Sequence, residues 1–293
     1  MNNKLTQHRD GNVIAAEYDE AICLHLLDFG YLTSRMIAEL IRPGDPAGLR
    51  TAQRRMKALV KRRLVIRERT DSGIPLYKLS KKGADYLADL GHDGVPERGT
   101  RDAKTGNPFH RSLSNNFLIF ELPKSVKYWS EYEILRNRAP LNFFKFEGIK
   151  MVPDALFDTA EGTFWVEAEN AVKRPKRLAQ LARLADHLFG EFNGYSFNFE
   201  DELYSIRGML FICPNDARAR AVSRAFANPP RGSMLDERVW ISHAPMTKSL
   251  IWPEKPKIEL AHKMAKRLGY IQHAENVESG SDQTNADQLD EAR

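Results

Sequence analysis

MVPDALFDTAEGTFWVEAEN, residues 151–170, reads as a tight β-hairpin that carries three carboxylates, Asp154, Glu167 and Glu169. The spacing predicts one strand over 149–157, a turn around 159–162, and a second strand over 163–169. Side chains alternate along a strand, so Glu167 and Glu169 share one face while Val166 and Ala168 share the other. Asp154 lies opposite Glu167 if the turn centres on Ala160 and Glu161, and opposite Glu169 if it centres on Glu161 and Gly162. Either register puts the three acids on one face, whereas a one-residue slip separates them. Carboxylates packed together repel and raise one another's pKa unless a cation neutralises them. Hard oxygens in this pattern suit Mg²⁺ or Mn²⁺, held with substrate phosphate and water, and such an ion activates water against a phosphodiester. The alternative is a solvated strand face on which Glu167 and Glu169 pair with Lys173 or Lys176.

Working outward, residues 110–122 suit a helix and 127–134 (KYWSEYEI) a strand with Trp129 and Glu131 on one side. Residues 175–189 carry Leu178, Leu181, Ala182, Ala185, Leu188 and Phe189 at helical spacing. The apolar run 209–214 fits a buried strand, Asn215 caps a helix through 227, and 239–242 makes a further strand. Helices interleaved with strands in this order predict an α/β (α+β) core with a mixed central sheet.

The N-terminal part has a different character. Between 48 and 69, Arg50, Arg54, Arg55, Lys57, Lys61, Arg62, Arg63, Arg67 and Arg69 face a single acid, Glu68. At about 100° per residue, Arg50, Arg54, Lys57 and Lys61 fall within about 60° of one another, and Ala52, Met56, Leu59 and Val60 fall opposite. Helices over 19–29 and 33–40 precede this one, with Gly30 as a stop and Thr33 or Ser34 as a cap. Strands over 64–67 and 76–79 follow, joined by the turn residues TDSG, and LSKKGADYLADLG closes the unit as a helix. Three helices and a two-stranded ribbon are the order of a winged helix-turn-helix, with the basic helix in the groove-reading position. Solvation of an exposed helix is the competing account of the charge run. The organisation expected is an arm at 1–18, a winged helix at 19–91, a Gly- and Pro-rich linker at 92–108, a core at 109–273, and an acidic disordered tail at 274–293.

Composition narrows the class. At 293 residues with 42% hydrophobic and 28% charged residues, the chain is globular. No apolar run approaches the roughly 20 residues of a spanning helix, and residues 1–10 lack the zones of a secretion signal. Two isolated cysteines, Cys23 and Cys213, offer neither a disulfide framework nor a metal knuckle, which fits a cytoplasmic setting. The net charge is +5, but the tail holds six acids against one arginine, a net −5, which leaves +10 for the rest and points to a polyanionic partner.

The hairpin resembles the PD-(D/E)XK phosphodiesterase core: Pro153-Asp154 on one strand, then acid-x-acid on the next, followed by a helix. With the N-terminal unit, the chain is similar to the replication-relaxation family, which includes MobC-type relaxases of mobilizable plasmids, on the motifs WSE (129–131), PDAL (153–156) and WVEAEN (165–170). The resemblance implies a restriction-endonuclease-like core that nicks origin DNA, with Asp154 and Glu167 as metal ligands and Glu131 as a further acid. It departs at Glu169, which stands where the nuclease pattern has Lys, so that Lys173, Lys176 or Lys150 must supply the basic group. The contacts implied for double-stranded DNA at a plasmid or mobile-element origin are Arg50, Arg54, Arg55, Lys57, Lys61, Arg67 and Arg69. A second mobilization protein and a homodimer are further partners that this reading admits. The alternative is a non-catalytic winged-helix repressor or accessory factor with a degenerate nuclease fold. Tyr18, Tyr31, His110 and His243 read as structural.

Overall fold

The computed structural model describes residues 10–103, 108–170, 175–189, 195–227, 235–248, 250–252 and 255–268; Lys173 and the acidic tail lie outside them. Helix α1 (Gly11–Phe29) starts well before Asp19 because the Asp10 carboxylate accepts the Asn12 N–H and caps it. It ends at Gly30, whose φ of +74° suits glycine and whose missing side chain leaves room for the Tyr132 ring. Thr33 caps α2 (Ser34–Ile41), and a turn leads into α3 (Gly48–Lys61). Strands β1 (Val65–Arg69) and β2 (Pro75–Leu79) pair antiparallel from Val65 with Leu79 to Arg69 with Pro75. Ser80 then caps α4 (Lys81–Asp89). Three helices and a ribbon thus follow in the expected order.

The stretch expected to link the two parts is packed at Gly99, Thr100 and Ala103 and partly or fully exposed at its other described residues. Thr100 is fully buried and makes two hydrogen bonds with Leu79, one from its N–H and one to its hydroxyl. Helix α5 (Pro108–Asn116) continues into a π-helical turn (Phe117–Glu121). Strand β3 (Lys127–Ser130) is shorter than the expected 127–134. Ser130 accepts the Glu133 N–H while the Glu133 carboxylate accepts the Ser130 N–H, a capping box that opens α6 (Glu131–Leu135). Glu131 is therefore in the first turn of a helix and not beside Trp129 on a strand.

The expected strand over 149–157 is two strands. β4 (Phe144–Phe146) and β5 (Ile149–Met151) make a separate ribbon, and Pro153, which has no N–H for a ladder, stands in the break. β6 (Ala155–Thr159) and β7 (Gly162–Ala168) pair from Thr159 with Gly162 to Ala155 with Val166, so the turn centres on Ala160 and Glu161. Beyond them come α7 (Pro175–Phe189), β8 (Tyr195–Phe199), β9 (Glu202–Cys213), α8 (Asp216–Ala225), α9 (Leu235–Arg238), β10 (Val239–His243), β11 (Lys257–Leu260) and α10 (Ala261–Arg267). The sheet runs β11-β10-β9-β7-β6-β3 with β8 added to β9. It is mixed: β7, β9 and β10 are parallel, and the other pairs are antiparallel.

Both faces of the sheet are covered, as the runs of consecutive buried residues in β7 and β9 require. Leu156, Trp165, Met209 and Phe211 pack with Leu181 and Leu184 of α7 and Val222 of α8. Phe157, Val166, Ala168, Leu210 and Ile212 share a core with Leu113 and Phe117, and that core continues into Ile22, Leu26, Met36, Met56 and Leu59. The basic helix is thus seated on the same hydrophobic core as the carboxylate hairpin.

Asp19 fixes α3 against α1. It is 1% exposed and accepts from Arg55 Nε at 2.8 Å and from Arg62 at 2.6 Å. Burying one carboxylate costs free energy that two charge-assisted hydrogen bonds offset. Asp19→Ala should lower stability by about 2–3 kcal/mol in urea denaturation, below the about 3–5 kcal/mol of a fully buried pair because Arg62 is half exposed.

Candidate nucleic-acid interface and carboxylate site

Helix α3 separates its two faces cleanly. Thr51, Ala52, Met56 and Leu59 are buried, while Arg50, Arg54, Lys57 and Lys61 are exposed with Gln53 between them. None of these four cations has an ion-pair partner among the described residues. Arg55, which the sequence groups with them, is turned inward to Asp19. Arg67 and Arg69 are exposed on β1, whereas Lys78 on β2 is buried and pairs with Glu68 at 3.0 Å.

The hairpin acids do not form one open cluster. Glu167 and Glu169 are 3% and 1% exposed, on the face of β7 that also carries Trp165, and the Trp165 indole N–H donates to Glu167 Oε1 at 2.9 Å. Asp154 precedes β6, and its N–H donates to the Val166 carbonyl at 2.9 Å, which extends the pairing to a position opposite Glu167. Its carboxylate turns elsewhere: Oδ2 accepts the Ala168 N–H at 2.8 Å, and Oδ1 lies 2.9 Å from His110 Nε2 on α5. The other imidazole nitrogen lies 3.3 Å from Asn170 Oδ1. Burial alone would lower the His110 pKa, but the hydrogen bond and charge of Asp154 outweigh it, and the imidazolium is held up to about 9.

A second ion pair stands beside this one. Arg111, next to His110, donates to Glu131 Oε2 at 2.6 Å, and its guanidinium lies 5.2 Å from the Tyr31 ring centre. Tyr31 is 1% exposed, and burial pushes its phenol up, so it packs here as the sequence suggests. His243 sits apart, at the end of β10, with its ring nitrogens 2.9 Å from Asp216 and 3.3 Å from Glu259. Lys150 lies on β5 with its Nζ 4.2 Å from the Phe143 ring centre, and Lys176 is exposed in the first turn of α7.

The structure therefore brings Asp154 and Glu167 opposite one another, moves Glu131 to α6, and adds His110, which sequence reasoning treats as structural. Nothing in the sequence marks a histidine 44 residues away as the partner of Asp154. The site does not fit a divalent ion as it is arranged. Asp154 is committed to an N–H and an imidazolium, Glu167 to an indole, and among the described residues no three His, Cys, Asp or Glu side chains group as metal ligands.

A basic, outward-facing helix joined through one core to a mixed sheet with buried acids defines an α+β protein with a candidate nucleic-acid interface. The family model described as replication-relaxation matches residues 24–185, more than half of the chain, and the chain belongs to the replication-relaxation family. No curated protein and no solved structure matches it.

If Asp154 is a structural acceptor, removing it leaves the Ala168 N–H without a partner and His110 without its counter-charge. Asp154→Ala should then cost about 1–3 kcal/mol of stability. An isolated repelling carboxylate predicts the opposite sign, a gain in the same urea titration.

Proposed function

We propose that the protein acts on duplex DNA at a plasmid or mobile-element origin, docking through α3 as the groove-reading helix of a winged helix-turn-helix. The observation that carries this reading is the stripe of Arg50, Arg54, Lys57 and Lys61, exposed and without ion-pair partners among the described residues, on a helix whose opposite face is buried. An exposed row of unpaired cations costs self-repulsion, which a phosphate backbone removes while counterions are released. Arg67 and Arg69, exposed on β1, would give the wing its phosphate contacts. Membership of the replication-relaxation family supports the same theme.

The reversal Arg50→Glu, Arg54→Glu, Lys57→Glu should abolish duplex binding in a gel shift at fixed salt. Affinity equal to that of the unaltered protein would overturn the assignment.

Nicking of that DNA at the hairpin is the second reading. Its specific support is that Asp154 stands opposite Glu167 in the β6–β7 register, with a cationic histidine touching Asp154. Mg²⁺ or Mn²⁺ would need Asp154 Oδ1, the position His110 now fills, so no chemical step is assigned to it. The competing account is a DNA-binding replication or mobilization factor that does not cut. Supercoiled plasmid carrying its own origin separates the two. Nicking with Mg²⁺ that disappears in both Asp154→Ala and Glu167→Ala supports cleavage, whereas footprinting without relaxation supports the non-cutting factor.

A further inference from the structure

We infer that the β4–β5 ribbon is a second DNA-contacting arm, presenting Lys145 and Lys150 to the phosphate backbone beside the carboxylate hairpin. This inference rests on the proposed action on DNA but uses a surface separate from α3. Lys145 and Lys150 are direct cross-strand partners in the β4–β5 pairing, so their side chains rise from one face of the ribbon. Both are exposed, and neither has an ion-pair partner among the described residues. Like charges directly opposite on a ribbon destabilise it unless an anion lies between them.

The ribbon's own acid is already engaged. Glu147, at the tip, takes both hydrogen bonds of the Arg183 guanidinium, at 2.7 and 2.8 Å, and so clamps the ribbon to α7. The ribbon is shaped in advance. Glu147 and Gly148 have φ of +48° and +75°, both positive as a tight two-residue hairpin turn requires. Its other face packs Phe144 and Phe146 over His187 with ring centres 5.9 and 5.4 Å apart, while the Phe144 ring stands 5.0 Å from that of Tyr195. With one face and the tip fixed, the remaining face holds two lysines and the half-exposed Phe143, whose ring lies 4.2 Å from Lys150 Nζ.

A two-stranded ribbon has the width to enter the major groove, and paired lysines suit the phosphates that flank it. Position gives the arm its use. Lys150 is followed by Met151, which is buried in the main core, and the chain reaches Asp154 three residues further on. DNA gripped by the ribbon would therefore lie along the α7 side of the sheet, the side that also carries Trp165 and Glu167.

The test measures binding of the full chain to a fluorescent origin duplex by anisotropy across a salt series. Three proteins are compared: unaltered, Lys145→Ala with Lys150→Ala, and the α3 reversal, each checked by thermal melting. The inference expects the lysine pair variant to melt normally, to bind more weakly, and to show a log affinity versus log salt slope shallower by about 1.8, at about 0.9 for each phosphate that is no longer neutralised. An unchanged slope and affinity in that variant, with binding abolished in the α3 reversal, overturns the arm and leaves the α3 reading standing. Absence of binding by the unaltered protein overturns both.

Discussion

Burial of β7 on both faces is the constraint on which the rest of the structure depends. Trp165 and Val166 are neighbours in the chain and both fully buried, one against the α7 side and the other against α5 and the N-terminal helices. Because side chains alternate, no residue from Trp165 to Ala168 can reach bulk water by facing the other way. The charged residues near its end are carried inside with the rest. A buried carboxylate is tolerated only with hydrogen-bond donors or a counter-charge, and the Trp165 indole is the donor the strand itself supplies to Glu167.

The same constraint explains why Asp154 is bound up with the scaffold. At the entrance to β6 its carboxylate ties the Ala168 N–H of β7 to His110 of α5, so one side chain links the sheet to the helix covering it. Next door, Arg111 and Glu131 tie α5 to α6. Two cation–carboxylate pairs thus stand where the sequence suggests a group of acids awaiting a metal. Their geometry is that of a rigid charged seam, and any cleavage chemistry would have to open the His110–Asp154 pair first.

The two surfaces proposed to meet DNA are built differently from this seam. The α3 stripe and the β4–β5 lysines are exposed and unpaired among the described residues, yet each sits on an element anchored from behind. Asp19 holds α3 through Arg55 and Arg62, and Arg183 holds the ribbon through Glu147. In both places an arginine–carboxylate pair orders the backbone while other cations remain available. Pre-ordering of this kind lowers the entropic cost of binding a polyanion.

The α3 stripe, a cap at Thr33 or Ser34, the Asn215 cap, and the β6–β7 hairpin were determined by the sequence alone, because each depends on spacing within a few residues. The mixed sheet followed from the order of such segments. Some local signals were also present but outweighed by strand-forming neighbours: Ser130 with Glu133 as a capping box, and Glu147-Gly148 as a ribbon turn. Only the tertiary structure decided which cations are free and which acids are engaged. Asp19 meets Arg55 and Arg62 from 36 and 43 residues away, and Asp154 meets His110 from 44. Pairings of that range are set by how the sheet and helices pack, so a charge pattern read along the chain shows where ionic groups lie but not which of them neutralise one another.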